Sequence, residues 1–239
     1  MARHDPKLVS EVSVMKAVRD EVGYDFSVQD AIARDYVNLS ALSRMLVPKV
    51  AARTGQKAKD VSEQGIVTAL KRLRGTYPRV SSDVGAVLSD SVVNVRTQVS
   101  KISVEKTKRT LQVVSNLLSA YQEDFIQVSE SLSSITLIFD RKLHAKVRRA
   151  LSGGEILEEG EEYAALIVHS PDEIISTPGC ISSFYNQLSR RHVNVEDTVS
   201  CYTDTILVVS MKDASRAFET LTELIGQERD KLGRESGRT

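Results

Sequence analysis

The sequence predicts an α+β protein: a helical domain over residues 1–80, followed by two copies of a small β-α-β-β-α-β unit over 81–158 and 159–239. Three observations predict it. Apolar residues recur at helical spacing through the first 75 positions and alternate, as in strands, after position 90. Between the two regimes, Tyr77-Pro78 and Ser81-Ser82-Asp83 carry the punctuation of a linker. The last two thirds of the chain also repeats itself at a spacing of 70.

At that spacing Leu111-Gln-Val-Val114-Ser-Asn116-Leu-Leu118-Ser119 falls on Ile181-Ser-Ser-Phe184-Tyr-Asn186-Gln-Leu188-Ser189, and Ile135-Thr-Leu137 falls on Thr205-Ile-Leu207. Identities are few, Ser100, Thr107, Lys142 and Leu151 among them, but the apolar classes coincide on the inward faces. Paired copies of one unit create interfaces, which points to binding rather than catalysis.

In the front domain, Leu8, Val12, Met15, Val18 and Val22 mark an amphipathic helix over 7–22 that ends before Gly23. Ser27 caps the next, which carries Val28, Ile32 and Val37. Asn38 or Ser40 starts a third, burying Leu39, Leu42, Met45 and Leu46, with a kink at Pro48 and a stop at Gly55. Asp60-Val-Ser-Glu63 has the spacing of a capping box before Ile66, Val67, Leu70 and Leu73.

In the rear, Val93, Val95, Thr97 and Val99 alternate as a strand, Lys108–Tyr121 is helical, 125–129 and 135–139 are strands, 141–151 is a helix and 156–162 a closing strand. The second copy runs strand 164–169, helix 179–191, strands 193–199 and 205–210, helix 213–225, with 229–239 as a frayed tail. This order is the ferredoxin-like split βαβ pattern. Around 126–131 against 196–201 the repeat slips by one residue.

Within the second copy, Ala164-Ala-Leu-Ile-Val-His-Ser170, Ser176-Thr177-Pro178-Gly179, His192-Val-Asn194-Val-Glu196, Leu207-Val-Val209 and Asp213-Ala214 follow in order. This stretch, residues 162–227, resembles an ACT domain, and especially the amino-acid-sensing regulatory region of aspartokinases. In that family a Pro-Gly opens the first helix, a Val-Asn-Val or Ile-Asn-Ile strand follows, and Asp-Ala starts the second helix. The resemblance implies a non-enzymatic regulator of amino-acid metabolism with a free amino acid as effector. The first copy departs from the motif: Lys108-Arg109 replace the Pro-Gly, and Asp124 stands where Asn194 does. Its fold rests on the repeat, and the same ligand is not expected there. Nothing in the chain resembles the kinase's catalytic domain.

The chemistry of the second copy suits such a ligand on its own terms. Pro178 presets φ for a first helical position, Gly179 lets a ligand approach the backbone, and the helix start offers N–H groups to a carboxylate. Asp172, Glu173 or Glu196 could answer an ammonium, and Asn194 both donates and accepts. The ligand set is therefore Asp172, Thr177, Pro178, Gly179, Asn194 and Glu196. An ordinary helix start and a turn residue account for the same letters.

Residues 38–74 read as helix-turn-helix-like, with the last helix as the reader. Ser62, Gln64, Thr68, Lys71 and Arg72 would face a DNA groove, and Arg53, Lys57, Lys59 and Arg74 would meet phosphates. Cations at a helix C-terminus are also favoured by the dipole alone, and the segment 49–59 exceeds the usual tight turn. Charge is consistent with either reading: residues 1–110 carry 19 Lys and Arg against 12 Asp and Glu, while the whole chain is neutral at 32 against 32.

Other classes have little behind them. Aromatics make up 5% with no Trp, too few for a base-stacking platform. No apolar run reaches the roughly 20 residues of a membrane span, and the Met-Ala-Arg-His-Asp-Pro start is not a secretory signal. Cys180 and Cys201 have no CxxC spacing, as expected of a cytoplasmic chain. No phosphate-binding glycine loop and no HExxH are present, and His4, His144, His169 and His192 show no ligand spacing, so no cofactor or metal is expected. Glu158-Glu-Gly-Glu-Glu162 reads as a solvated connector. Two outputs remain: action on DNA through the front domain, or docking on a biosynthetic enzyme such as an aspartokinase. A homodimer is expected in both.

Overall fold

A computed structural model of the chain describes residues 12–77 and 83–236. The contacts divide the chain into two compact units, Met1–Val80 and Ser81–Thr239.

The first unit is helical. Ser13 caps α1 (Val14–Gly23) by accepting from the N–H of Lys16. Helix α2 (Phe26–Ala33) starts ahead of the expected cap: Asp25, not Ser27, accepts from the N–H of Val28. Asn38 caps α3 (Leu39–Thr54) by accepting from Ser40 and Ala41, and Gly55 ends it in the left-handed region at φ 72°. Pro48 lies inside α3 and does not end it. Ser62 caps α4 (Glu63–Leu73), so the expected capping box is unused and Asp60 lies in a separate 3₁₀ turn, Ala58–Asp60. Val18, Val22, Ile32, Leu42, Leu46, Val50, Ile66 and Leu70 form the core. Met45 falls off that stripe and is 71% exposed, because Leu42, Leu46 and Val50 follow the i, i+4 row that faces α1 and α4. The expected helical residues before Val12 and the linker residues 78–82 lie outside the described residues.

The second unit opens with a helix where the sequence suggested linker. Helix α5 (Asp83–Ser89) buries Val84, Val87 and Leu88. Its stretch is too short to show a helical period by itself. The remaining elements are β1 (Val92–Glu105), α6 (Lys108–Ala120), β2 (Ile126–Glu130), β3 (Ser134–Asp140), α7 (His144–Ala150), β4 (Ile156–His169), α8 (Cys180–Arg190), β5 (Asp197–Cys201), β6 (Asp204–Ser210) and α9 (Ala214–Ser236). Three expected boundaries change. The closing strand and the strand after it are one continuous strand, β4. The segment 193–196 is not strand, and β5 begins at Asp197. Most of the expected tail continues α9 to Ser236.

All six strands form one antiparallel sheet in the order β2-β3-β1-β4-β6-β5. The order is a palindrome under exchange of β1 with β4, β2 with β5 and β3 with β6. Val92 corresponds to Ile156 and Glu105 to His169, an offset of 64. In β3 and β6 the offset is 70, Ser134 to Asp204 and Asp140 to Ser210. The second half gains eight residues between its first strand and first helix and loses two from the helix itself, a net of six. Each long strand serves both halves: Val99–Glu105 pairs with β3, while Val92–Arg96 pairs with the far end of β4. Val99 pairs with Tyr163, its own equivalent at offset 64, so a local two-fold axis passes through that pair. The register shifts on both sides of it, and Gln98 adopts φ 56° there.

Helices cover one face of the sheet in two clusters. Ile102, Val104, Ile135, Leu137 and Phe139 pack with Val114 and Leu117 of α6 and Val147 of α7. Leu166, Val168, Leu207 and Val209 pack with Phe184 and Leu188 of α8, Leu221 of α9 and Val87 of α5. The expected match of Leu118 with Leu188 is not kept in burial. Leu188 is buried, Leu118 is 42% exposed and Leu117 takes the inward place. The opposite face has its own apolar cluster of Val99, Ile138, Ala165, Val199, Ile206 and Val208, against which Phe125, Tyr163 and Ile167 pack. The sheet curls around this cluster until its edge strands approach, with Cys201 Sγ 3.5 Å from Gln127 Oε1. Gly160 permits tight packing beside the axis, since a Cβ there would lie 2.7 Å from the Tyr163 ring.

Candidate functional site

The connection between first strand and first helix distinguishes the halves. In the first, two residues join β1 to α6, and Thr107 caps α6 in a reciprocal box with Thr110. In the second, ten residues join β4 to α8 and include a 3₁₀ turn, Asp172–Ile175. Helix α8 begins after Gly179, whose φ of 107° suits only glycine, and no side chain caps it. Gly179 is therefore the cap residue, and Pro178 stands one place before it rather than at the first helical position. The Gly179 carbonyl accepts from both the N–H and hydroxyl of Ser183. The next residue, Cys180, is buried, and burial pushes its thiol pKa up, an unreactive state.

Thr177 and Gly179 are half-buried, while Asp172 and Pro178 are exposed. Asn194 and Glu196 are exposed and partner each other, Asn194 Nδ2 donating to Glu196 Oε1 at 3.0 Å. These two groups lie at opposite ends of α8. The His169 and Cys201 ends share the partner Asp204, whereas Asp197 pairs with Val208 further along β6. An 11-residue helix spans about 16 Å. The ligand set read from the sequence, which places Gly179 and Asn194 around one small molecule, is thus not gathered within one unit, because the second strand starts where the first helix ends. No single small ligand in one chain touches both.

On the helical unit, the nine expected nucleic-acid contacts separate. Lys57, Lys59, Gln64, Lys71 and Arg72 are exposed and have no ion pair among the described residues. Arg53 is held by Glu21 and lies over the Tyr24 ring, 5.6 Å from its centroid, and Arg74 pairs with Asp35. The Ser62 hydroxyl is spent on its cap, and the Thr68 hydroxyl donates to the Gln64 carbonyl. Tyr24, Phe26 and Tyr36 are 79–83% exposed around α2.

The acidic run 158–162 is part of β4, not a connector, and three of its four carboxylates, Glu158, Glu159 and Glu161, are engaged. Lys101, 5% exposed, donates to Glu158 at 2.8 Å and lies 5.7 Å from the Tyr163 ring centroid. Glu159 receives both His144 Nε2 and Arg148 Nε at 2.9 Å, and Glu161 lies 3.3 Å from His144. The His144 ring stacks on Phe139, and its Nδ1 is buried without a partner. The sequence hid this cluster because partners 15 residues apart across a turn leave no periodic trace. Among the described residues no group of three or more His, Cys, Asp or Glu could hold a metal, and no helix is long and apolar enough to cross a membrane.

Neither a protein-family model nor a curated protein sequence matches the chain. Among solved structures, it is similar to the ligand-free regulatory subunit of aspartate kinase from Thermus thermophilus, at 12% identity and a TM-score of 0.47 over 55% of this chain and 95% of that one. It is also similar to the aspartate kinase of Clostridium acetobutylicum, at 16% identity and 0.48 over 56% and 34%. A third is E. coli aspartokinase III in complex with lysine and aspartate, at 13% and 0.45 over 56% and 32%.

Proposed function

We propose that this chain is a cytoplasmic, non-catalytic regulator that senses a free amino acid through paired, ferredoxin-like ACT-type units (81–158 and 159–239) and transmits that state through its helical domain (1–80). The observation that carries the reading is the asymmetry of the duplication. Both halves keep one strand order, yet only the second has a long connection ending in an uncapped helix start at Gly179. Sealing one helix start with two threonines and leaving its counterpart open suits a ligand carboxylate at the second alone. The mechanism is linkage: an effector that prefers one packing of the repeats shifts the population by its differential affinity.

Because Gly179 and Asn194 lie at opposite ends of α8, a ligand that meets both bridges two copies. Asp172, Thr177, Pro178 and Gly179 come from one and Asn194 and Glu196 from the other, which makes the active form a homodimer. For the output, the exposed stripe of Gln64, Thr68 and Lys71, flanked by Lys57, Lys59 and Arg72, favours DNA; Ser62, Arg53 and Arg74 would then hold the reading helix in place rather than read. The exposed Tyr24, Phe26 and Tyr36 favour the second reading, docking on a biosynthetic enzyme such as an aspartokinase.

A thermal-shift screen against the twenty amino acids finds the effector. Asn194→Ala then weakens it by roughly 1–3 kcal/mol, about 5- to 150-fold, and Gly179→Val weakens it further. Binding that survives both changes, in variants whose circular dichroism matches wild type, removes this site from consideration. Replacing Lys71 and Arg72 with Ala reduces retardation of duplex DNA at low salt; a protein that retards no DNA with or without effector acts through a partner instead.

A further inference from the structure

A cleft of about 340 Å³ opens where the two halves meet, lined by Gln98, Arg141, Glu162, Tyr163, Met211 and Lys212, with Glu161 at its wall. It lies on the local two-fold axis. Tyr163 belongs to the pair through which the axis passes, Gln98 corresponds to Glu162 at offset 64, and Arg141 corresponds to Met211 at offset 70. At these two pairs the halves carry different chemistry, and Lys142, the counterpart of Lys212, is held by Asp124, so that one symmetric cleft becomes a polar, directional one.

Its charges are not spent on each other. Lys212 and Glu162 have no ion-pair or hydrogen-bond partner among the described residues, and Arg141 reaches Glu161 only at 3.8 Å. Glu161 is also drawn to His144 at 3.3 Å, which leaves Glu162 as the available carboxylate. Met211, 42% exposed, and the half-buried Tyr163 ring supply apolar surface between them. One unpaired cation, one unpaired anion and an apolar wall in a space of this size match the three parts of a zwitterion with a hydrocarbon side chain.

We propose that this axial cleft binds a free α-amino acid with an apolar side chain. Lys212, supported by Arg141, takes the carboxylate; Glu162 takes the ammonium; Met211 and Tyr163 contact the side chain. This site is separate from that at Gly179, and it goes beyond the sensing reading by naming the ligand class and a second seat for it. A ligand here touches the 3₁₀ turns that lead into α7 and α9 of opposite halves, Arg141–Leu143 and Met211–Asp213. Because the cleft lies on the axis that relates the halves, its occupancy is one per chain. The charged groups are exposed, so affinity lies in the millimolar to high-micromolar range.

The test uses the full chain labelled with ¹³C at methionine methyls, titrated with L-leucine. Controls are 4-methylpentanoate, which lacks the ammonium, and 3-methylbutylamine, which lacks the carboxylate. The Met211 resonance, assigned by its loss in Met211→Leu, shifts saturably with leucine and not with either control. Lys212→Gln and Glu162→Gln each weaken the effect by about tenfold or more, while Gly179→Val leaves it intact. Absence of a shift at Met211, or equal response to the single-charge controls, overturns the cleft. Leucine binding lost in Gly179→Val but unchanged in Lys212→Gln and Glu162→Gln also overturns it while leaving the sensing reading standing. The converse result, with Met211 responding and no amino acid sensitive to Gly179→Val, supports the cleft and removes the site at Gly179.

Discussion

A lysine that is 5% exposed in the curled face of a sheet stands only because its charge is answered. Burial by itself would lower the Lys101 ammonium pKa. The hydrogen bond and attraction of Glu158, with Tyr163 and Asp197 adding to them, outweigh burial and raise it. A raised folded-state value means that this stabilisation is complete below the ordinary lysine pKa of about 10.4 and is lost as pH climbs through the raised value. Glu158→Gln should cost about 1 kcal/mol in urea unfolding at neutral pH, the lower part of the range because Glu158 is itself half exposed. Its stability should also begin to fall at a lower alkaline pH than that of wild type. Lys101→Met, which removes the charge along with its need for a partner, should be nearer neutral. Equal losses in the two variants would show that the pair contributes by packing and not by charge.

At the level of elements, the threonine box on α6 is a local device with a measurable weight. Thr107→Ala should destabilise the second unit by about 1 kcal/mol in chemical denaturation, with no effect on the amino-acid binding proposed at Gly179. Elements with a period long enough to show were legible in the sequence. Helices α6 and α8, strands β3 and β6, and α3 and α4 of the first unit fall within a few residues of where Val114, Phe184, Leu137, Leu207, Leu42, Ile66 and Leu70 place them, whereas α1 starts at Val14 after its Ser13 cap rather than at residue 7. Helix α5 was not legible, since seven residues give no period and its Val84, Val87 and Leu88 have meaning only against α9. The union of two strands into β4 was hidden by its acidic middle, where Glu158, Glu159 and Glu161 are matched by Lys101, His144 and Arg148 from elsewhere. The residues of the ligand set were visible one by one, but not their distance. A helix between Gly179 and Asn194 separates letters that look adjacent in motif order.

At the scale of the molecule, the two halves of the second unit are not separable bodies. Each completes its four strands with part of the other's first strand, Val92–Arg96 closing the second half and residues 156–163 closing the first. Calorimetry of the full chain should therefore show residues 83–236 unfolding in one transition despite the internal duplication, with at most one further transition from the helical unit. A resolved step for each half would mean that the shared strands do not couple them.

Strand sharing also sets an order on synthesis. The first five residues of β1 leave the ribosome long before their partners, with Val92 matched by His169 and Arg96 by Ala165, 69 to 77 positions later. The opposite end of the same strand finds β3 within about 30 to 40 positions. One end of β1 is thus zipped while the other waits, a bare strand with Val92, Val93 and Val95 and unpaired backbone groups. The nascent second unit carries this apolar strand end near its start and receives the cover for it only once β4 has emerged, so the interval between the two is when a neighbouring nascent copy can take the place of β4.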